Sequence, residues 1–108
     1  MHYEIRGIKL PHDKDVISHN IKNSIQNGSY EREESEQLEK ILQKGERVLE
    51  IGGGIGYMSS LTAKSKQVEK ICVVEANPNL IGYMQIVHQL NNVAQVADME
   101  IVNGNFDQ

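Results

Sequence analysis

The stretch Val48-Leu49-Glu50-Ile51-Gly52-Gly53-Gly54-Ile55-Gly56-Tyr57 decides the fold. From Arg47 to Ile51 it reads as a short strand, apolar on both sides apart from Glu50. Four glycines then fall within five positions, and a helix is expected from Tyr57 to about Lys64. Glycine repeated at a strand-to-helix turn lets the backbone take positive φ and lets a ligand approach where a Cβ would collide. A tight turn by itself seldom needs so many.

Working outward, Ile71 to Glu75 is expected as a second strand and Met99 to Val102 as a third. Between them lies a helix that Asn77 caps, with Pro78 in its first position and an apolar face at Leu80, Ile81, Met84, Val87 and Leu90. A polar loop around Asn91 and Asn92 leads into the third strand. This alternation is the grammar of βαβ units. Upstream, Tyr3, Ile5, Ile8 and Leu10 suggest an extended or hairpin-like start, broken at Gly7 and closed by Pro11. Asp13 is expected to cap a helix carrying Val16, Ile17, Ile21 and Ile25, stopped by Asn27-Gly28. A second helix from about Glu31 to Lys44 turns Leu38, Ile41 and Leu42 inward, with Gly45 just past its end. The expected organisation is a strand and helical cap over 1–45 and a βαβαβ unit over 46–108, in one compact domain.

Charge discriminates between the ligands such a turn could take. Dinucleotide-binding folds also place a glycine-rich turn after a strand, but Gly54-Ile55-Gly56-Tyr57-Met58-Ser59 lacks the third small residue of their pattern. Glu50, two residues before the first glycine, would face a pyrophosphate across a short distance. Like charges ~4 Å apart repel by about 4 kcal/mol at an effective dielectric of 20. S-adenosyl-L-methionine instead carries an ammonium and a sulfonium, which an acid attracts, while the helix N-terminus can receive its carboxylate. An NAD(P)-binding Rossmann domain is therefore the weaker alternative.

These residues resemble a known family: Glu50-x-Gly52-x-Gly54-x-Gly56, running into Tyr57, is similar to motif I of class I S-adenosylmethionine-dependent methyltransferases. The resemblance implies an α/β fold, a Rossmann-like three-layer sandwich whose partial parallel sheet has the order 3-2-1, with N-terminal helices. It places Glu75, at the end of the second strand, where that family binds both ribose hydroxyls, with Ala76 beside it. Two charge-assisted hydrogen bonds of about 1.5 to 3 kcal/mol each would make Glu75 a major contact. Otherwise Glu75 is only a negative charge near a helix start. Within the class, Gly28-Ser29-Tyr30-Glu31, Val48 to Tyr57 and Val74-Glu75-Ala76-Asn77-Pro78 look like FkbM-type enzymes, which implies O-methylation of a small molecule or sugar. The resemblance spans roughly Gly28 to Phe106 and covers only the front half of the family's pattern, so a fragment or naturally short form is expected.

The resemblance also implies that Tyr30 and Glu31 form part of a lid over the methionine end, where the bland reading is an ordinary helix start. It puts Asn105 and Phe106 beside adenine, as against a simple loop. Ser59 and Ser60 could offer hydroxyls to the cofactor carboxylate or merely satisfy free amides. His2, His12, His19 and His88 have no metal-ligand spacing and read as surface or packing residues, so no metal is expected.

The balance of 15 acidic against 11 basic residues, a net charge of −4, gives no electrostatic footprint for nucleic acid or an anionic membrane. A small-molecule substrate is expected instead. Cys72 is the single cysteine and sits in an apolar run, which suits a reducing compartment and suggests the cytoplasm.

Methyl transfer is an in-line displacement in which alignment alone can supply about 7 to 11 kcal/mol. No residue of the sequence stands out as a general base, so a catalytic residue stays unassigned and a non-catalytic cofactor-binding module remains an alternative. The order 3-2-1 would leave Arg47 to Ile51 as an open sheet edge. A homodimer, or a partner chain completing the sheet, is therefore expected unless the segment Tyr3 to Leu10 folds back to cover that edge.

Overall fold

Strand and helix alternate from Arg47 onward in the order the glycine run implies. The computed structural model describes residues 1–65 and 68–104. Its elements are β1 (His2–Ile5), β2 (Ile8–Pro11), α1 (His19–Gln26), α2 (Arg32–Ile41), β3 (Arg47–Ile51), α3 (Tyr57–Ser65), β4 (Lys70–Glu75), α4 (Pro78–Leu90) and β5 (Asp98–Asn103).

β3, β4 and β5 form a parallel sheet in that spatial order, which is the expected 3-2-1 arrangement seen from the other side. Val48 pairs with Ile71, which pairs with Met99, and these residues face the helices together with Val73 and Ile101. Ala63 of α3, Met84 of α4 and Leu42 after α2 complete that core. Alternation along the strands sends Leu49, Ile51, Cys72 and Val102 to the opposite face. There Leu49 is 57% exposed, Ile51 62% and Val102 38%. Helices thus cover one face of the sheet among the described residues, giving two of the three layers expected.

The N-terminal segment is a hairpin. β1 and β2 pair antiparallel, with Ile5 opposite Ile8 and the turn made by Arg6 at φ +49° and Gly7 at φ +79°. Two consecutive positive φ values match the twist of a two-residue hairpin turn. Ile5, Ile8 and Leu10 are buried against Ile25 of α1, Tyr57 and Leu61 of α3, and Tyr83 and Val87 of α4. Asn91 pins the hairpin to the end of α4: its Oδ1 accepts from the Lys9 amide and its Nδ2 donates to the Lys9 carbonyl, both at 2.8 Å. Tyr83 Oη donates to the Pro11 carbonyl at 2.7 Å. The hairpin therefore lies against the helices and does not pair with β3, so it leaves the sheet edge open.

Four local expectations shift. Asp13 organises only a turn, accepting at its carbonyl from Ile17, while Ser18 caps α1 by accepting from Ile21. α2 ends at Ile41, because Leu42 turns extended to bury its side chain, and Gly45 at φ +82° serves the turn into β3 instead. The buried face of α4 is Tyr83, Met84, Val87 and His88, so Leu90 points outward. Between α4 and β5 the polar loop contains a short 3-10 turn, Val93–Gln95, that buries Val93.

Candidate cofactor site

β3 delivers Glu50 to the rim of the glycine loop, and β4 delivers Glu75 opposite it. The loop is tied to β4 by the Gly52 amide, which donates to the Val74 carbonyl at 2.7 Å. Glu75 is buried, and its carboxylate accepts from the Gly54 amide at Oε1, 3.0 Å, and from the Asn77 amide at Oε2, 2.9 Å. An ionised carboxylate offers about four lone-pair sites, so two remain for a ligand. Asn103, at the end of β5, steadies the segment by donating from Nδ2 to the carbonyls of Glu75 and Ala76, each at 3.1 Å. That role was hidden in the sequence, where Asn103 shows only as a polar residue before a glycine.

The four glycines divide by task. Gly52 has φ +79° and Gly54 φ +58°, and a Cβ added at either would meet no protein atom within 4 Å. A Cβ on Gly53 would strike Val73 Cγ1 and come within 2.6 Å of Met84 Cε, while one on Gly56 would lie 2.8 Å from Met84 Cγ. Gly54 is open toward solvent, whereas Gly53 and Gly56 let the loop press on α4.

Three acids share this end of the sheet. Burial pushes the Glu50 carboxyl up to about 7, and the Glu31 and Glu75 carboxylates push it the same way. Glu31 is itself raised by burial and by Glu34. A cationic ligand would relieve this repulsion, and its approach would favour the ionised form of Glu50.

The other expected residues separate. Tyr57 has its ring in the core, 1% exposed, and its hydroxyl is held by Arg6 and Ser35, so its backbone amide in the first turn of α3 is what it can offer a ligand. Tyr30 stands edge-on to Tyr57 with ring centroids 5.5 Å apart, and burial raises its hydroxyl's pKa. Ser59 does not face the loop's ligand side: its Oγ lies 2.7 Å from His88 Nε2. Ser60 is fully buried and its Oγ has no hydrogen-bond partner. Ala76 is exposed beside Glu75. Asn105 and Phe106 lie outside the described residues. Among the described residues no cluster of His, Cys, Asp and Glu could hold a metal ion, and no helix is long and apolar enough to cross a membrane.

The sequence of residues 8–107 matches the family model of the TRM5/TYW2 methyltransferase domain. The chain belongs to that family. The finer likeness to FkbM-type enzymes is thereby corrected: the turn-and-acid wording they share with this chain is common to the wider methyltransferase class. No curated protein matches the chain in sequence. Among solved structures it is similar to Trm5b from Pyrococcus abyssi, with 24% identity over 97% of this chain and 28% of that one, at a TM-score of 0.70. TYW2 of M. jannaschii, solved in complex with AdoMet, is 21% identical over 93% of this chain and 42% of its own, at 0.68. A transferase from Pyrococcus horikoshii gives 20% identity over 92% of this chain and 34% of its own, at 0.63. At these identities the likeness establishes the Rossmann-like fold. The chain spans between 28% and 42% of the length of these three relatives.

Proposed function

We propose that this chain is the cofactor-binding part of an S-adenosylmethionine-dependent methyltransferase that modifies RNA, with tRNA as the substrate class. The observation that carries it is the family match over residues 8–107, joined to a loop whose open glycine and three acids suit a cationic cofactor. Methyltransferases of this family use S-adenosylmethionine, which supplies an electrophilic methyl group on its sulfonium. An RNA substrate takes the place of the small hydroxyl compound that the FkbM likeness implied.

The residues present fit the cofactor. Glu75 would take the ribose hydroxyls with the lone pairs that Gly54 and Asn77 leave free. Gly52, Gly54 and the amide of Tyr57 would line the amino-acid end, with Glu50 and Glu31 facing its ammonium and Tyr30 closing over it. Ala76 would border the adenosine, and Asn105 and Phe106 are proposed beside the base. Holding the donor in one orientation is the chain's contribution to an in-line displacement, since alignment is where most of the rate gain arises. The net charge of −4 gave no reason to expect nucleic acid, so the RNA reading rests on the family match and replaces that expectation.

Calorimetric titration with S-adenosylhomocysteine and with NAD tests the cofactor, and transfer of labelled methyl to tRNA transcripts by the chain in its native context tests the substrate. Binding of NAD in place of S-adenosylhomocysteine would refute the first part. Methylation of small hydroxyl compounds but of no RNA would refute the second.

A further inference from the structure

Two strained residues are tied into one hydrogen-bonded ring beside the glycine loop. Among the described residues, three that are not glycine have positive φ: Arg6, Glu31 at +50° and Asn92. The first central position of a hairpin turn with two positive φ values favours Asn, Asp or Gly, and arginine there is disfavoured. Strain of this kind persists where the surroundings fix it, and it marks candidate functional positions.

The Arg6 guanidinium reaches out of the hairpin to three acceptors. Nη1 donates to the Tyr30 carbonyl at 2.7 Å and to the Tyr57 hydroxyl at 2.9 Å, and Nη2 donates to the Gly28 carbonyl at 2.9 Å. Glu31, the second strained residue, directly follows the captured Tyr30 carbonyl. Its own carbonyl accepts from Ser35 Oγ at 2.6 Å, and Ser35 Oγ lies 2.8 Å from the Tyr57 hydroxyl, which closes the ring. Tyr57 is the residue after Gly56. One side chain thus joins the hairpin turn, the Gly28–Glu31 segment and the helix that leaves the glycine loop.

We propose that Arg6 is a positioning residue for the amino-acid end of the cofactor, holding Tyr30 and Glu31 over the glycine loop through this ring. The proposal rests on the cofactor reading above. Ser35 ties the Glu31 carbonyl to Tyr57, directly after Gly56, so the segment that Arg6 fixes stands beside the loop proposed for the ligand's amino-acid end, and the Glu31 charge also bears on Glu50. A planar fork serves three diverging acceptors at once, which the point charge of lysine does not.

Two ligands separate positioning from general support: S-adenosylhomocysteine, and 5′-methylthioadenosine, which keeps the nucleoside and lacks the amino-acid end. In the 108-residue chain, Arg6→Lys should weaken S-adenosylhomocysteine about tenfold while leaving methylthioadenosine within about twofold. Hydrogen exchange at the Ser35 amide, which donates to the Glu31 carbonyl, should quicken in the same variant. Tyr57→Phe, which deletes a single hydroxyl, should show the same selectivity and add little on top of Arg6→Lys; it carries the test should Arg6→Lys fail to fold. Equal loss of both ligands, or no loss of either, would overturn the positioning role while wild-type binding stands. A wild-type chain that binds neither ligand would overturn the cofactor reading itself, and the role of Arg6 with it.

Discussion

The Gly54 amide and the Glu75 carboxylate, 21 residues apart, meet in a 3.0 Å hydrogen bond that joins the glycine loop to the end of the second parallel strand. The two halves of the proposed cofactor site are therefore one mechanical unit. A ligand drawn to Glu75 finds the loop already placed, because an ionised acceptor makes a stronger bond to an amide than a neutral one does.

Replacing Glu75 should then do two things. Glu75→Ala is expected to weaken S-adenosylhomocysteine at least tenfold, about 1.4 kcal/mol, and to lower the melting temperature because the Gly54 and Asn77 amides lose their acceptor. Titration calorimetry and thermal unfolding measure the two effects. Unchanged affinity in a folded variant would show that the ribose is held elsewhere.

The glycines should respond by position. Gly54→Val is expected to abolish cofactor binding, because its side chain would enter space that no protein atom occupies and because a β-branched residue at φ +58° strains the loop. Gly53→Val should instead destabilise the fold, since β-branched Val73 cannot swing clear of the added atoms. Circular dichroism and calorimetry on both variants check this; a Gly54→Val protein that binds normally would make the loop a mere turn.

The alternating glycines and the Asn77-Pro78 helix start made the loop and the strand-helix alternation legible in the sequence, since each is a local backbone requirement, whereas the sheet order followed only from the resemblance to class I methyltransferases. Burial partners were not legible. Nothing in the spacing of Leu80, Ile81 and Leu90 shows that α4 turns His88 inward, because that depends on Ser59 arriving from another helix. The capping of α1 by Ser18 was masked by Asp13, an equally good cap one turn earlier. The link from Arg6 to Tyr57 spans 51 residues and leaves no periodic trace. The family likeness was corrected at its finest level for a related reason: the residues it rested on are those proposed for the cofactor, and a glycine loop with its acids does not specify a substrate.

Binding should depend on pH through Glu50. Its carboxyl sits near 7, above its ordinary range, because of burial and then Glu31 and Glu75. A cation favours the ionised form, so affinity for S-adenosylhomocysteine should rise between pH 6 and pH 8 and then level off, with a proton released on binding near neutrality. Without ligand the sign is opposite: the folded chain holds the extra proton between about 4.5 and 7, so stability falls as pH rises through that window. Glu50→Gln should flatten both curves; an unaltered binding profile would remove Glu50 from the site.

His88 should make the fold acid-sensitive. Burial lowers its pKa from 6.5 to about 4, and Ser59 is its neighbour at 2.7 Å. The unfolded chain takes up the proton first, so this contribution is whole above pH 6.5 and is lost as pH falls toward 4. Glu50 acts in the opposite direction over an overlapping range, so denaturant titrations of His88→Gln against wild type are best made in the Glu50→Gln background. A stability slope that persists in the double variant would show that another group is responsible.

The final prediction concerns the sheet edge. β3 pairs only with β4 among the described residues, and β1 pairs with β2 against the helices, so the segment that could have shielded β3 is committed elsewhere. Leu49 and Ile51 point to the uncovered face at 57% and 62% exposure, and Val74 links Ile51 to Val102 in one row across the sheet. An edge with unpaired amides and carbonyls, next to an apolar face and guarded only by Arg47, invites another chain. The 108-residue chain is therefore expected to associate, with a copy of itself or with a partner that completes the sheet. Light scattering across a dilution series should show a concentration-dependent mass, and Ile51→Lys should shift it toward monomer, because a charge on that face opposes burial. A wild-type chain that stays monomeric at every concentration, with β3 amides protected from exchange, would show that the edge needs no partner.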